Sequence, residues 1–304
     1  MTLLREGLFF FERGWLSSNS ILLDDGKTSV LIDSGYVTHS SFLFSLLNNH
    51  LKSRPLTCLV NTHLHSDHCG GNSAIQSQFP AVKTFIPHAL FESVRQWDAV
   101  VLSFEDTGQL CPRFNADVQL RPGDIYFWSG LEWQVYSAPG HDHDALLFFN
   151  AQHRVLISAD ALWGNGFGIV FPEVLGGKGF AEVGATLNVI EQLNPLVVLP
   201  GHGPVIRDVP QCLVRAHSKL NYFVQSPDLH ASHAAKVLLK FKLLELQSVA
   251  LADFYSWAQT TPLLKRIHQN FFTASAIQDW CRDLLEELIN KKVATISNDV
   301  VYNI

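Results

Sequence analysis

Three histidines and an aspartate occupy six consecutive positions within NTHLHSDHCGGN, residues 61–72: His63, His65, Asp67 and His68. His63 and His65 stand two apart where the apolar strand LTCLV runs out, so both side chains can point the same way. Asp67 and His68 follow at a turn into the next helix, and Gly70 and Gly71 let the backbone bend close to that turn. Imidazole nitrogen and carboxylate oxygen are suitable ligands for zinc, and for iron or manganese. Four such groups in six residues can line two adjacent metal ions from one loop. An ordinary core has no use for so many polar groups directly after a hydrophobic strand. More candidates stand at the exits of later apolar strands: His141 in SAPGH, Asp160 in LISAD and His202 in LVVLPGH. Loops after strands are where active groups gather in layered folds, and these positions support one another.

The elements that must hold these residues follow from periodicity. Residues 8–33 read as paired strands, with Asp25-Gly26 as a hairpin turn between apolar runs. Residues 38–50 carry Phe42, Leu43, Leu46 and Leu47 at helical spacing. Strands are expected at LTCLVNTH, VKTFIPH, DIYFW, EWQVYSAPG, ALLFFN, RVLISAD and LVVLPGHG, with helices at 73–79 and 181–193. Residues 89–115 read as helical and then irregular, in a place to hang over a site, and 164–179 read as a glycine-rich loop. Strands grouped early and in the middle, with helices between them, make a mixed α/β layered domain. From about residue 211 helices dominate: KVLLKFKLLEL, then SAIQDWCRDLLEELINKK with Leu284, Leu285 and Leu288 inward. VATISNDVVYNI closes the chain as two short strands around Asn298-Asp299, so the final part resembles a winged-helix module. The reading places a catalytic domain at 1–215 and a mostly helical module at 216–304.

Composition excludes several classes. The hydrophobic fraction is 47% and the charged fraction 16%, which suits a core-rich globular protein and not a disordered one. Net charge is 22 minus 28, or −6, so neither nucleic acid nor an anionic membrane is attracted in general. Cys58, Cys69, Cys111, Cys212 and Cys281 are odd in number and none is paired as C-x-x-C, which reads as reduced thiols in a cytoplasm. Glu12 and Arg13 interrupt the apolar run of MTLLREGLFFFERGW, so no signal peptide is expected there, and no eighteen-residue apolar stretch predicts a membrane span.

The order H-x-H-x-D-H, a later Gly-His, a strand-terminal Asp and a final Gly-His resembles the metallo-β-lactamase fold superfamily. THLHSDHCGGN looks most like the glyoxalase II type of hydrolase, and the similarity runs from residue 8 to about 207. The resemblance implies a four-layer αββα sandwich. It implies that His63, His65 and His141 hold a first metal ion, that Asp67, His68 and His202 hold a second, and that Asp160 bridges them. Two divalent ions are implied, zinc by default, with iron or manganese as alternatives. Asp33 in LIDSG resembles a position that supports the site from behind. His143 and Asp144 lie just past the Gly-His histidine and rank as secondary groups, and Cys69 is expected as a small buried residue without covalent role.

Such a centre implies a water made nucleophilic between two metals, with Asp67 or Asp160 as catalytic groups orienting it and moving a proton. No G-x-S-x-G nucleophile elbow is present; SSNS at 17–20 is not one. The expected reaction is hydrolysis of a small-molecule thioester or ester with an apolar acyl part, with Trp97, Phe104, Trp163, Phe167, Phe171 and Phe180 as candidate pocket walls. A lactonase is one alternative. An endoribonuclease is another, using the C-terminal module and a basic face of Lys236, Lys240, Lys242, Lys265, Arg266, Lys291 and Lys292 to hold RNA. Overall acidity and the lack of aromatic-basic interleaving speak instead for an ordinary solvated surface. A non-catalytic regulatory protein would have shown a lost ligand, and none is lost. The apolar faces of the C-terminal helices leave room for a homodimer.

Overall fold

The computed structural model describes residues 2–5 and 7–304; Met1 and Glu6, within the stretch read for a leader, lie outside the described residues. Seven strands form the first sheet in chain order: β1 (Thr2–Arg5), β2 (Leu8–Phe11), β3 (Ser20–Asp24), β4 (Ser29–Ile32), β5 (Cys58–Val60), β6 (Lys83–Pro87) and β7 (Val118–Leu120). β1 to β4 are an antiparallel meander, while β4 to β7 run parallel. The second sheet contains β8 (Ile125–Trp128), β9 (Leu131–Ser137), β10 (Leu146–Asn150), β11 (Val155–Ala159) and β12 (Val197–Pro200). Its order is β12-β11-β10-β9-β8, antiparallel except for the β11–β12 pair.

Strand alternation sorts side chains into layers. Phe10, Ile32 and Val60 of the first sheet meet Trp133, Phe148, Ile157 and Leu199 of the second. The next residues along the same strands face outward. Leu22, Leu31 and Leu59 pack against Leu43, Leu47 and Leu51 of the helix Ser40–Leu51 and Ile75 of the helix Asn72–Gln78. Leu147, Leu156 and Val198 pack against Val183, Leu187 and Ile190 of the helix Gly179–Leu193. The result is the four-layer αββα sandwich. Strands covered on both faces explain runs such as VLISA and VVLP, which show no polar alternation.

The C-terminal region is helical, as expected. Helices Pro227–Leu246, Leu251–Thr260, Pro262–Phe271 and Ile277–Asn290 surround Leu239, Leu264 and Leu285. A small antiparallel sheet joins β13 (Ser248–Ala250), β14 (Ala294–Ser297) and β15 (Val300–Asn303) in the order β13-β15-β14. Asn298 and Asp299 form its two-residue hairpin turn with φ of 50° and 57°, the left-handed pair that such turns demand. Residue 215 lies inside the helix Val209–Gln225, whose Leu213, Ala216, Leu220 and Phe223 belong to the core over the second sheet.

Several elements differ from expectation. β7 and β13 have three residues each, too few for a periodic signal. The loop 164–179 contains a short helix, Phe171–Val174. Phe42 lies on the solvent side of its helix, under the Arg13 guanidinium at 5.1 Å, while Leu51 takes the inward position one turn after Leu47. Among the described residues no helix is long and apolar enough to cross a membrane.

Candidate metal centre

β4 and β5 are parallel, and so are β11 and β12, so each pair delivers its C-terminal ends to one edge. β9 runs in the same direction as β11, since both are antiparallel to β10. Asp33 follows β4, the 61–72 loop follows β5, and His141, Asp160 and His202 follow β9, β11 and β12. The two sheets therefore bring all seven expected ligands to a common rim. They fall into two groups: His63, His65 and His141; and Asp67, His68, Asp160 and His202.

In the first group His65 Nδ1 stands 3.0 Å from His63 Nε2 and 2.8 Å from His141 Nε2. In the second, His202 Nε2 is 3.0 Å from Asp67 Oδ2, and His68 Nε2 is 3.3 Å from Asp160 Oδ1. Asp160 joins the groups, because its Oδ2 lies 3.2 Å from His141 Nε2. The opposite ring nitrogens are fixed from behind. His141 Nδ1 donates to the Ile169 carbonyl at 2.6 Å, and His68 Nδ1 donates to Asp33 Oδ2 at 2.8 Å. Asp33 also accepts from the Thr62 amide and hydroxyl at 2.9 and 2.7 Å, so it supports the site as the motif suggested. These bonds set the two rings with Nε2 facing the centre. His68 Nε2 is buried without a hydrogen-bond partner, an orphan that a cation would satisfy. The donor set of imidazoles and carboxylates fits divalent metal ions.

Burial governs the charge states. It pushes His63 well below the ordinary histidine value and His141 down to about 4, so both are neutral and ready to ligate near neutral pH. Burial opposes charge on His68 too, but the carboxylates of Asp160, Asp33 and Asp67 outweigh it and raise that group well above its usual value. Burial likewise disfavours the Asp160 carboxylate, and the surrounding His68, His202 and His141 overcome it, holding Asp160 well below the carboxylate range.

Residues near the ligands divide clearly. His143 is 72% exposed and pairs with Glu182 at 3.3 Å, outside both groups. Asp144 is half-buried, and its amide donates to Asp142. Cys69 is buried, with Sγ directed to the Leu64 carbonyl and Cys111 Sγ. Of the aromatic residues expected to line a pocket, only two touch the ligands. Phe171 lies against His65 and His141 at ring separations of 5.1 and 5.6 Å, and Trp163 against His202 at 5.1 Å. Phe167 and Phe180 are core, and Trp97 and Phe104 stack within the 90–116 cluster.

Sequence reasoning missed three contributors. Trp15, 62% exposed, stacks on His202 at 5.4 Å with an interplanar angle of 9°. Asp142 Oδ2 stands 3.6 Å from His65 Nε2, on the side of the ring away from His63 and His141. Asn19 in SSNS donates to the Pro200 and Gly203 carbonyls at 2.9 and 2.8 Å, and the Ser18 amide donates to the Asp67 carbonyl. SSNS therefore ties the first ligand loop to the last. Its position at the start of a strand was visible, but the partners, 181 and 184 residues away from Asn19, were not.

Gly201 shows how tightly the second group is built. A Cβ there would stand 2.1 Å from Asp160 Oδ1 and 3.0 Å from His68 Cε1. We expect Gly201→Ala to keep its far-ultraviolet circular dichroism but to lose at least one bound metal ion per chain by elemental analysis. Full metal content in that variant would contradict the ligand role of Asp160 and His68.

Comparison with known proteins agrees with this geometry. The sequence profile of the Metallo-beta-lactamase superfamily matches residues 13–202. A beta-lactamase-like protein 2 homolog of Drosophila melanogaster is 28% identical over 244 residues, covering 73% of this chain and 74% of that protein. An atrochrysone carboxyl ACP thioesterase of Aspergillus fumigatus is 26% identical over 198 residues, covering 64% of this chain; the match spans about half, 53%, of that protein's length. In three dimensions, the crystal structure of a metallo-beta-lactamase family protein from Thermus thermophilus matches with a TM-score of 0.56 at 19% identity, over 99% of this chain and 100% of that one. The profile ends at the last of the seven converging groups, His202, and the chain belongs to the metallo-β-lactamase superfamily as one of its hydrolases.

Proposed function

We propose that the protein is a thioesterase that hydrolyses small acyl thioesters with an apolar acyl part at a centre of two divalent ions, zinc by preference. The observation that carries the reading is the convergence of seven ligands in two groups joined by the two oxygens of Asp160. His63, His65 and His141 would hold one ion, Asp67, His68 and His202 the other, and Asp160 both. Bound there, two divalent ions supply an activated water and stabilise negative charge developing on the substrate carbonyl.

The protein's own groups do the rest. Asp160 has both oxygens engaged, with Trp163 Nε1 donating to Oδ1 at 3.2 Å, so its role is to hold position. Asp67 is the more open carboxylate, 14% exposed against 4%, and it touches His202 through Oδ2. That leaves Asp67 to orient the attacking water and take its proton. Trp15, Trp163 and Phe171 provide apolar ring faces beside His202, His65 and His141. An exposed tryptophan lying flat beside the ligands favours an acyl group that can cover it. The Aspergillus relative's name, an acyl carrier thioesterase, supports the same choice. Five free cysteines fit a reducing compartment such as the cytoplasm.

RNA as substrate gains no support from the basic residues of the C-terminal region. Lys236 pairs with Glu287, Arg266 with Asp106, and Lys242 with Glu245, while Lys240 binds the Val293 and Ile304 carbonyls and Asn303. These four of the seven cations are used internally, while Lys265, Lys291 and Lys292 are exposed.

The test is thiol release from a panel of acyl thioesters, corrected for the protein's own cysteines with substrate-free reactions. Release should vanish on metal stripping and return with zinc; no release from fully metallated protein would exclude the thioester reading. Asp67→Ala should lower kcat by about 10²–10⁴-fold in a chain that still folds, the usual worth of a general base. Unchanged turnover would remove Asp67 from the reaction. Trp15→Ala should cost about three- to tenfold in kcat/KM on bulky apolar acyl groups, and little on acetyl, from the loss of ring contact.

A further inference from the structure

The loop 163–175 links the metal centre to the C-terminal helices. On its inner side, the Ile169 carbonyl accepts from His141 Nδ1 at 2.6 Å, and the Gly168 amide donates to the Asp160 carbonyl at 2.9 Å. The approach is so close that a Cβ on Gly168 would stand 2.4 Å from His141 Nδ1. On its outer side, three residues beyond the family-matched span hold the same loop. Lys219 Nζ donates to the Phe167 carbonyl at 2.9 Å, the Val170 amide donates to His230 Nε2 at 3.1 Å, and Asn270 Nδ2 donates to the Val174 carbonyl at 3.2 Å. Ile169 and Val174 are buried in the core of the C-terminal helices, not in that of the sandwich.

His230 is the odd member of this set. It is 1% exposed, wedged between the rings of Phe180 at 5.0 Å and Phe223 at 4.9 Å. A leucine would fill such a place without leaving a polar atom unmatched, yet His230 Nδ1 has no hydrogen-bond partner among the described residues. What the imidazole supplies is an acceptor for the Val170 amide, which is adjacent to the carbonyl that orients His141. Burial, with His233 and Lys219 nearby, pushes the His230 pKa down to about 3, so Nε2 is available as an acceptor at physiological pH.

We propose that His230 is a positioning residue for the three-histidine metal group: it anchors Val170 so that the Ile169 carbonyl holds the His141 ring in its ligating orientation. Through this contact the C-terminal helices act as a clamp on the ion that the three histidines would hold. The inference rests on the two-ion reading of the centre but is independent of the substrate. Groups that orient a metal-bound histidine are worth about 10- to 100-fold in metal affinity.

The test is zinc binding by competition with a chromophoric chelator, using the full chain. The wild type should bind two ions. His230→Leu should weaken one of them about 10- to 100-fold and leave the other unchanged, and His230→Gln, which offers an acceptor oxygen, should restore most of the loss. Lys240→Ala, which disturbs the terminal hairpin of the same module without touching the loop, should leave both ions unaffected. Equal weakening of both ions in His230→Leu, no weakening, or the same loss in Lys240→Ala would overturn the proposal. A wild type that binds fewer than two ions would overturn the two-ion reading itself. If His230→Leu does not fold, hydrogen exchange in the wild type provides the check. Coupling is reciprocal, so the Val170 amide should exchange more slowly once metal is added, and exchange indifferent to metal would refute the clamp.

Discussion

Five imidazoles and two carboxylates, most of them buried, crowd one place at the rim of the two sheets. His65 Nδ1 is within hydrogen-bond distance of two other ring nitrogens, and His68 Nε2 has no partner. Divalent cations relieve both conflicts at once: they accept the lone pairs that converge in the first group and balance the carboxylates in the second. Asp160 is the pivot, with one oxygen toward each group. The rest of the molecule can be understood as the means of holding these seven groups together where divalent ions fit them.

The sandwich does this with rigid strand ends. Parallel pairs β4–β5 and β11–β12 present their exits side by side, and the inter-sheet core around Trp133 and Phe148 fixes one sheet against the other. Two residues next to the site adopt the left-handed region: Asp33 has φ of 58° and Ala159, just before Asp160, has φ of 46°. An alanine gains nothing from the left-handed region, so its conformation is imposed by the strand it ends and by the Gly201 amide, which donates to its carbonyl. A second ring of contacts, Asp33 behind His68 and Ile169 behind His141, fixes how these two rings face the centre.

The C-terminal helices take part in this support. They hold the 163–175 loop on one side of the centre and the 104–110 segment on the other. There, Lys242 donates to the Gly108 carbonyl, and Tyr36 donates to Glu245 while accepting from the Leu110 amide. Gln109 of the same segment accepts from Ser66 at 2.5 Å, at the start of the helix that bears Asp67 and His68. Residues 89–115, read from sequence as a cover, are thus tied to both the metal loop and the C-terminal module.

By itself the sequence determined the seven groups that converge, because each is announced locally: a polar residue at the end of an apolar run, with spacing that a strand or short turn can honour. The same locality made the hairpin at Asn298-Asp299 and the helix carrying Leu284, Leu285 and Leu288 legible. Tertiary structure alone decided which side chains gather around the ligands. Trp15 and Trp163 are 148 positions apart (163 − 15) yet their rings meet beside His202 at 5.6 Å, while Phe167 and Phe180, equally aromatic and far nearer than Trp15 to Asp160 in sequence, went to the core. His230 and Asn19 carry no local sign of their roles. Their partners are backbone groups 60 and 181 residues away, and a backbone carbonyl or amide is the same at every position until the fold selects one.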